Sequence, residues 1–374
     1  MLTPESRSTD FPFLRDACYF NTAAESIPPQ SVLAAVERYG RDKSLGMDGR
    51  DAHFAELELC RETAAGLLHR SVGEVSFCSS TSEAYNLLHS ALQLKRPDEV
   101  VITDLDFPSG VTPWICSELQ PVIQLWKNSD GVLDLEGLEP LLNENTRLVQ
   151  VSLVSFLTGY RIDWEPFRDA VRKLAPHAVL AVDVTQCFGR VELDCLDADC
   201  LFASSYKWLL GIHGGCVVSV AERCAEILTT RAGGWFHIGN AFDADRFTRV
   251  DPIPGAASFS VGMPGFASIY AMRAGMEYLK NVGIEKIAQH ADPIVARVHE
   301  GLAELGIGTM SPPRPGNSSG IVAFQHERDA EIHAGLLAEN IHVMRQAGRI
   351  RISVHGYNQM DDAEKLLSVL AGFT

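Results

Sequence analysis

The 374-residue sequence lacks the patterns that mark several large classes of protein. Its nine cysteines form no C-x-x-C pair, their number is odd, and Cys78, Cys200 and Cys216 lie within apolar runs. These features are typical of buried, reduced thiols that behave as small hydrophobic side chains. The twelve histidines include no HExxH motif. We therefore expect neither a disulfide framework nor a metal site.

Basic residues are also scarce relative to acidic ones. The sequence has 32 Lys and Arg and 48 Asp and Glu, which gives a net charge of -16. This negative charge argues against a nucleic-acid partner. No apolar run approaches the roughly 18 residues of a membrane span. Residues 1–7 lack the basic-then-apolar order of a signal peptide. We therefore expect a cytoplasmic protein with no membrane or nucleic-acid partner.

The composition is otherwise that of an ordinary globular protein, with 21% charged and 46% hydrophobic residues. At this length we expect two domains. Residues 1–28 read as an irregular N-terminal arm, 29–260 as a large α/β domain, and 261–374 as a smaller α+β domain. A Gly- and Pro-rich segment, 233–264, is interpreted as a long loop at the boundary.

Short apolar runs alternate with helical patterns between residues 74 and 220. This alternation predicts parallel strands joined by helical crossovers, one of which would be a helix over 135–142. The predicted strands cover residues 75–77, 100–103, 122–126, 147–155, 179–183, 200–203 and 216–220. The fold class is therefore α/β, with a central, mostly parallel sheet between helices.

An acid and a lysine follow two consecutive strands of this pattern. Asp183 ends the run that begins at Val179, and Lys207 comes just after the run Cys200–Ala203. The carboxyl ends of parallel strands meet at one edge of a sheet, where α/β proteins bind ligands. An acid and a lysine at that edge are what pyridoxal phosphate (PLP) needs. The lysine forms a Schiff base, and the acid keeps the pyridine nitrogen protonated.

A second candidate feature is the start of a predicted helix at Ser79-Ser80-Thr81-Ser82-Glu83. Ser80-x-x-Glu83 has the spacing of a capping box. Free N–H groups and the helix dipole make such a terminus a candidate phosphate-binding site, but ordinary helix capping is the more frequent explanation of this pattern.

Ordered motifs along some 340 residues make the sequence resemble the class V aminotransferase family of fold-type I PLP enzymes. The motifs are Tyr19-Phe-Asn21-Thr-Ala-Ala24, Thr81-Ser82-Glu83-Ala84-x-Asn86, Asp183-x-x-Gln186, Ser204-x-Tyr206-Lys207, and Arg351-Ile-Ser-Val-His-Gly-Tyr357-Asn358. The family includes cysteine desulfurases, selenocysteine lyases, kynureninases, isopenicillin N epimerases and some transaminases. The resemblance implies PLP as cofactor and a small amino acid as substrate.

The resemblance also implies roles for individual residues. Lys207 would form the Schiff base and move protons at Cα, Asp183 would pair with the pyridinium nitrogen, and Gln186 would contact the phenolic oxygen. The cofactor phosphate would be held by Thr81, Ser82, Ser204 and Tyr206. Phe107 would stack on the ring, unless it is a core phenylalanine. Arg351 would hold the α-carboxylate near Asn21, with Arg345 and Arg349 as competitors for that role.

Family members complete their phosphate site across a subunit interface, so the resemblance implies a homodimer with the active site at that interface. Trp235 and the Gly262-Met263-Pro264 turn are the candidates for this contact. Met263 stands where the family commonly has a phosphate-binding threonine, so one phosphate contact is in question.

Departures from the family pattern narrow the expected reaction. Desulfurases carry a nucleophilic cysteine shortly before the carboxylate-binding arginine, whereas no cysteine follows Cys224 here. They also place a histidine over the ring where this chain has Phe107, and often an asparagine where it has Phe156. The segments around Phe107 and Trp235 are closer to those of kynureninase.

We therefore expect an enzyme that acts on an α-amino acid through Lys207 and a carbanion at Cα. The reaction would be of the lyase type (β-elimination or kynureninase-like) or a transamination. An epimerase similar to isopenicillin N epimerase is the alternative. A non-catalytic PLP-fold regulatory protein is disfavoured because Lys207, Asp183, Gln186 and Arg351 occur together. The sequence leaves open which amino acid is the substrate.

Overall fold

The computed structural model describes residues 1–373 as helices arranged around one large and two small sheets. The α-helices are α1 (Pro4–Asp10), α2 (Gln30–Ser44), α3 (Arg50–Leu67), α4 (Thr81–Leu92), α5 (Pro108–Ile115), α6 (Leu135–Leu138), α7 (Trp164–Leu174), α8 (Phe266–Val282), α9 (Ile284–Glu304), α10 (Asp329–Ala338) and α11 (Met360–Leu370). The strands are β1 (Cys18–Tyr19), β2 (Val75–Cys78), β3 (Glu99–Thr103), β4 (Val122–Trp126), β5 (Thr146–Ser152), β6 (Val179–Asp183), β7 (Cys200–Ser204), β8 (Cys216–Val220), β9 (Ile321–Gln325), β10 (Ile341–His342), β11 (Met344–Gln346) and β12 (Arg349–Ser353).

The large sheet has seven strands in the order β2-β8-β7-β6-β5-β3-β4, which confirms the seven predicted strands and the mostly parallel sheet, although the strand predicted to reach residue 155 ends at Ser152. The exception to the parallel arrangement is β8, which runs antiparallel to both β7 and β2. The reason is the short connection between β7 and β8, residues 205–215, because a parallel return needs a crossover of roughly a dozen residues or more.

Both faces of this sheet are covered, which explains why its strands are apolar without alternation. In β6, Leu180 and Val182 belong to the core cluster on one face, while Val179 and Ala181 belong to the cluster on the other. All five residues of β6 are buried, and so are all five of β7. The strand that ends in Asp183 and the strand that precedes Lys207 are therefore enclosed on both faces.

The C-terminal region has its own antiparallel sheet, in the order β11-β12-β9, and its own core beneath α9, α10 and α11. The N-terminal arm is joined to it, because β1 pairs with β10 and Asn21 forms a bridge with Ser353. Helix α8, which follows the predicted boundary, packs against α2 and α3. The division at residue 260 stays a prediction.

Two local expectations are wrong. The arm is not irregular throughout, because α1 forms near its start, where Thr3 caps the helix by accepting a hydrogen bond from the Ser6 amide. The helix predicted over 135–142 ends at Leu138 and continues as a 3-10 turn to Leu141. Pro140 explains this ending, since it has no N–H to continue the α-helical pattern.

None of the helices within residues 1–373 is both long enough and apolar enough to cross a lipid bilayer.

Candidate active site

The pairing of β6 with β7 brings Asp183 and Lys207 to the same edge of the sheet. Asp183 is the last residue of β6 and lies opposite Phe202 of β7, and Lys207 follows β7 by three residues. Desolvation lowers the pKa of the Lys207 amine to about 8, although the Asp183 carboxylate favours its charged form. The predicted acid and lysine are thus neighbours in the structure.

The Asp183 carboxylate is buried and oriented by two donors. The Thr185 amide donates to its Oδ1 at 2.7 Å, and the Tyr85 hydroxyl donates to its Oδ2 at 3.2 Å. Burial raises the pKa of Asp183, while the hydrogen bonds from Thr185 and the charge of Lys207 oppose that shift. A positive group that reached this carboxylate would therefore favour its ionised form.

A small cavity opens at this edge of the sheet, next to both groups. Three of its walls are the first residue of α4, the first turn of α5 and the loop after β5. The lining residues are Thr81, Phe107, Ser109, Ser152, Phe156, Asp183, Thr185, Gln186, Ser204, Tyr206 and Lys207. Seven of the predicted site residues (Thr81, Phe107, Asp183, Gln186, Ser204, Tyr206 and Lys207) are therefore brought together.

The start of α4 presents hydroxyl groups to the cavity. The Thr81 and Ser204 hydroxyl oxygens lie 3.3 Å apart, and the Ser204 amide donates to the Thr185 hydroxyl at 3.1 Å. The predicted capping box is wrong in one half. Ser80 caps the Glu83 amide at 3.1 Å, but the Glu83 carboxylate accepts from the Ser79 amide at 2.6 Å and not from Ser80.

Phe107 is 46% exposed, so it is not a core phenylalanine. Its ring meets that of Phe156 edge to face, with the centroids 4.9 Å apart. The Lys207 Nζ lies 5.5 Å from the Phe107 centroid. Gln186 is fixed from both sides, since its Nε2 donates to the Ala23 carbonyl at 3.1 Å and its Oε1 accepts from Trp208 at 2.8 Å. One Nε2 hydrogen of Gln186 is left for a further acceptor.

Arg351 reaches this region from β12. It is 2% exposed, and its Nη1 donates to the Phe156 carbonyl at 2.8 Å. Its Nε and Nη2 are buried and have no partner, and neither has the Oδ1 of Asn21. Burial and the nearby charge of Arg349 lower the pKa of Arg351 to about 10. Arg345 is engaged elsewhere, in an ion pair of 2.7 Å with Asp329.

Arg351 and Asn21 are not among the residues that line the cavity within one chain, and neither are three further predicted residues. Ser82 is exposed at the second position of α4. Trp235 is 39% exposed and meets the rings of Phe236 and Phe242. Met263 lines a larger cavity of about 670 Å³ near His213, whose ring stacks on Tyr206 at 4.2 Å. The smaller cavity is the one lined by both the Asp183 carboxylate and the Lys207 amine, so we place the chemistry there. The roles of these three residues stay predictions.

The sequence reasoning assigned no role to five residues at the site, although it noted Phe156 as a departure from the desulfurase pattern. Tyr85 contacts Asp183, and the other four are cavity-lining residues: Ser109, Ser152, Phe156 and Thr185. Tyr85 stands four positions after Thr81 on α4, on the same helix face, which is a signal that could have been used. Ser152 and Thr185 follow or end buried strands, as Asp183 does. Nothing in the sequence links Phe156 to Arg351.

Comparison with known protein families identifies the class of protein to which this fold and cavity belong. Residues 18–366 match the family model described as aminotransferase class V. The chain belongs to this family, and it is a PLP-dependent enzyme.

Individual relatives are similar in sequence to this chain over nearly its full length. "Uncharacterized aminotransferase YcbU" of Bacillus subtilis is 28% identical over 375 residues, which cover 99% of this chain and 98% of the relative. A "Probable cysteine desulfurase" of Pyrococcus abyssi is 27% identical over 400 residues, which cover 99% and 97%.

Solved structures share the fold. The apo cysteine desulfurase of Thermococcus onnurineus NA1 superposes with a TM-score of 0.89 at 24% identity, covering 100% of this chain and 98% of that one. The cystine C-S lyase C-DES, in complex with its product cysteine persulfide, gives a TM-score of 0.87 at 19% identity, covering 96% and 99%.

The residues present fit PLP. The cavity offers an amine whose pKa is lowered to about 8 and a buried carboxylate for a cationic ring nitrogen. It also offers the buried hydroxyl of Ser109, which has no partner, beside the hydroxyls of Thr81 and Ser204. These are the groups that a ring aldehyde, a pyridine nitrogen and a phosphate require.

Proposed function

We propose that this enzyme acts on a free α-amino acid, with Lys207 as its catalytic base, in a lyase-type reaction or a transamination. The observation that carries the proposal is the position of Lys207. Its amine has a lowered pKa, and both the buried Asp183 carboxylate and the buried Arg351 guanidinium are near enough to influence that pKa. A base, an acid and a carboxylate receptor in this arrangement suit proton transfer at Cα.

The cofactor would be held by groups already in place. When bound, PLP supplies an electron sink for the charge that develops at the substrate Cα. Asp183 would hold a proton on the ring nitrogen, and Tyr85 and Thr185 keep its carboxylate oriented for that contact. The amides at the start of α4, with Thr81 and Ser204, would receive the phosphate. Gln186 would donate its free hydrogen to the ring oxygen.

The substrate would be oriented by its carboxylate. The unpartnered Nε and Nη2 of Arg351 can give a carboxylate two parallel hydrogen bonds. The Asn21 Oδ1 can accept from the substrate ammonium group. With the carboxylate fixed, the Cα–H bond is directed at Lys207, whose amine can take the proton near neutral pH.

Cysteine desulfurase activity is not part of the proposal. Such activity needs a thiolate that accepts sulfur from the substrate. The cavity lining contains no cysteine among the described residues, and burial raises the pKa of Cys200 and Cys216 on the adjacent strands. The exposed Cys116 follows the far end of α5, about 12 Å along the helix from its first residue.

A two-base epimerase is also less well supported. It needs a second group that exchanges a proton on the opposite side of Cα from Lys207. Of the other titratable cavity residues, Asp183 would serve the ring nitrogen, and burial raises the pKa of Tyr206 so that it stays protonated. Lys207 is therefore the one base suited to neutral pH among the lining residues.

The proposal is tested by a screen of amino acids against the PLP-loaded enzyme, with assays for keto acids, ammonia, alanine and sulfide. Lys207→Ala should lower turnover of any substrate found by at least about 100-fold, since it removes the base. Lys173→Ala, on the exposed face of α7, is the matched control and should leave turnover unchanged.

Sulfide together with a persulfide on the protein would contradict the exclusion of desulfurase chemistry. Alanine formed from kynurenine would select the kynureninase-like form of the lyase reaction. Failure of every amino acid to change the cofactor absorbance would overturn the proposal.

A further inference from the structure

Strand β12 carries a row of polar side chains on one face. Arg349, Arg351 and Ser353 alternate along the strand, so they point to the same side of the sheet. All three are buried, at 3%, 2% and 0% exposure. The Arg349 Nε, the Arg351 Nε and Nη2, and the Ser353 hydroxyl have no hydrogen-bond partner.

The row contains two positive charges and no negative one. Among residues 1–373, no carboxylate forms an ion pair with either guanidinium, whereas Arg345 on the adjacent strand β11 is paired with Asp329. Burial lowers the pKa of Arg349, and burial together with Arg349 lowers that of Arg351. Uncompensated buried charges are costly, so this arrangement is suited to anions that arrive from outside the chain.

Both arginines contact the same residue of the cavity wall. Arg351 donates to the Phe156 carbonyl at 2.8 Å, and the guanidinium carbon of Arg349 lies 5.5 Å from the centroid of the Phe156 ring. Phe156 lines the cavity that holds Lys207. Arg349 therefore lies next to the substrate space, one side-chain position beyond the receptor of the α-carboxylate.

We propose that Arg349 binds a second carboxylate, at the end of the substrate side chain, so that the enzyme selects dicarboxylic α-amino acids. The inference rests on the proposed function, in which Arg351 holds the α-carboxylate. Residues two apart in a strand are about 6.6 Å apart along its axis, and flexible arginine side chains can converge from that spacing. Aspartate and glutamate, with two carboxylates on a short carbon chain, suit this pair of receptors.

The test measures dissociation constants of the PLP-loaded enzyme for aspartate against asparagine, and glutamate against glutamine, by the change in cofactor absorbance. At least one acid should bind about 30-fold more tightly than its amide, since the amide leaves a buried cation unpaired. Succinate should likewise raise the unfolding temperature of the protein more than succinamate does.

Arg349→Gln should reduce the acid-to-amide ratio to about threefold or less while leaving binding of the amides nearly unchanged. Arg345→Gln is the matched control, because Arg345 is half exposed and paired with Asp329, and it should keep the wild-type ratio.

Equal affinities for acid and amide in the wild-type enzyme overturn the inference and leave the proposed function intact. An equal loss of affinity for acids and amides in Arg349→Gln also overturns the inference, because Arg349 would then bind the α-carboxylate. Weaker PLP binding in that variant, with an unchanged ratio, would assign Arg349 to the phosphate instead. If Arg349→Gln does not fold, the wild-type comparison decides. An absence of binding by any amino acid contradicts the proposed function itself.

Discussion

The edge of the large sheet and strand β12 both bring charged groups to the active-site region, but only the sheet edge brings charges of both signs. At the sheet edge, the buried Asp183 carboxylate has two hydrogen-bond donors and the positive charge of Lys207 nearby. On β12, Arg349 and Arg351 have like charges, and no acid of the described chain pairs with either.

The sheet edge balances its negative charge with a positive one from the same chain, whereas strand β12 does not balance its two positive charges. The sheet edge offers opposite charges and hydroxyl groups in fixed positions, as a resident cofactor requires. The arginines of β12 have N–H groups without hydrogen-bond acceptors, as a binding site for a transient anion requires. We therefore expect substitutions at the two places to affect stability and activity differently.

Arg351→Met should have the largest effect in this comparison. It should lower kcat/KM by about 30-fold or more, since the α-carboxylate loses its charged partner. It should leave the unfolding free energy of the ligand-free protein unchanged or raise it by about 1 kcal/mol, because a buried unpaired charge is removed. Steady-state kinetics and thermal unfolding measure the two effects.

Arg345→Met is the control, and it should change neither quantity much, since it breaks a half-exposed ion pair. A clear loss of stability in Arg351→Met with normal kcat/KM would mean that Arg351 is structural.

Asp183→Asn should weaken PLP binding by about 10-fold or more, because a charged hydrogen-bond acceptor becomes neutral. Tyr85→Phe, which removes one donor to that carboxylate, should weaken binding by about fivefold or less. Equilibrium titration of the apo-protein with PLP gives both values. Equal effects of the two substitutions would contradict the assignment of Asp183 to the ring nitrogen.

The pH dependence of PLP uptake should show an effect smaller than those of Arg351→Met and Asp183→Asn. A lysine pKa of about 8 leaves roughly one-tenth of the amine neutral at pH 7 and half at pH 8, so uptake should rise about fivefold between them. Because the pKa is lowered, the rate should level off above pH 9. A rate that continues to rise through pH 10, as for an ordinary lysine, would show that Lys207 is not desolvated.

The positions of the residues on the cofactor side of the site could be predicted from the sequence, whereas those on the substrate side could be predicted less well. Apolar strands that end in polar residues place Asp183 and Lys207 correctly, because the geometry of a parallel sheet brings strand ends together. The reversal of β8 could have been predicted from the short connection after β7. The helix α1 had its signal in Thr3 and Pro4.

The contacts of β12 could not be predicted in this way. Arg351 meets Phe156 across almost two hundred residues of sequence, and no local pattern links the two. Arg349 donates to the Gln346 side chain at 3.3 Å, and whether a carboxylate also reaches it depends on what packs around it, which sequence spacing does not reveal. The missed half of the capping box has a local cause, since Ser79 competes with Ser80 for the Glu83 carboxylate.

The position of the cavity-lining residues in the chain has a consequence for biosynthesis. All of them lie between Thr81 and Lys207, whereas Arg349 and Arg351 belong to a strand near the C-terminus. Asn21 reaches its place only when it bridges Ser353 of that strand. A ribosome therefore completes the residues that would receive the cofactor well before the two arginines that would hold the substrate carboxylates. We expect a nascent chain that ends after β8 to contain the lysine and its acid partner while both anion receptors are still untranslated.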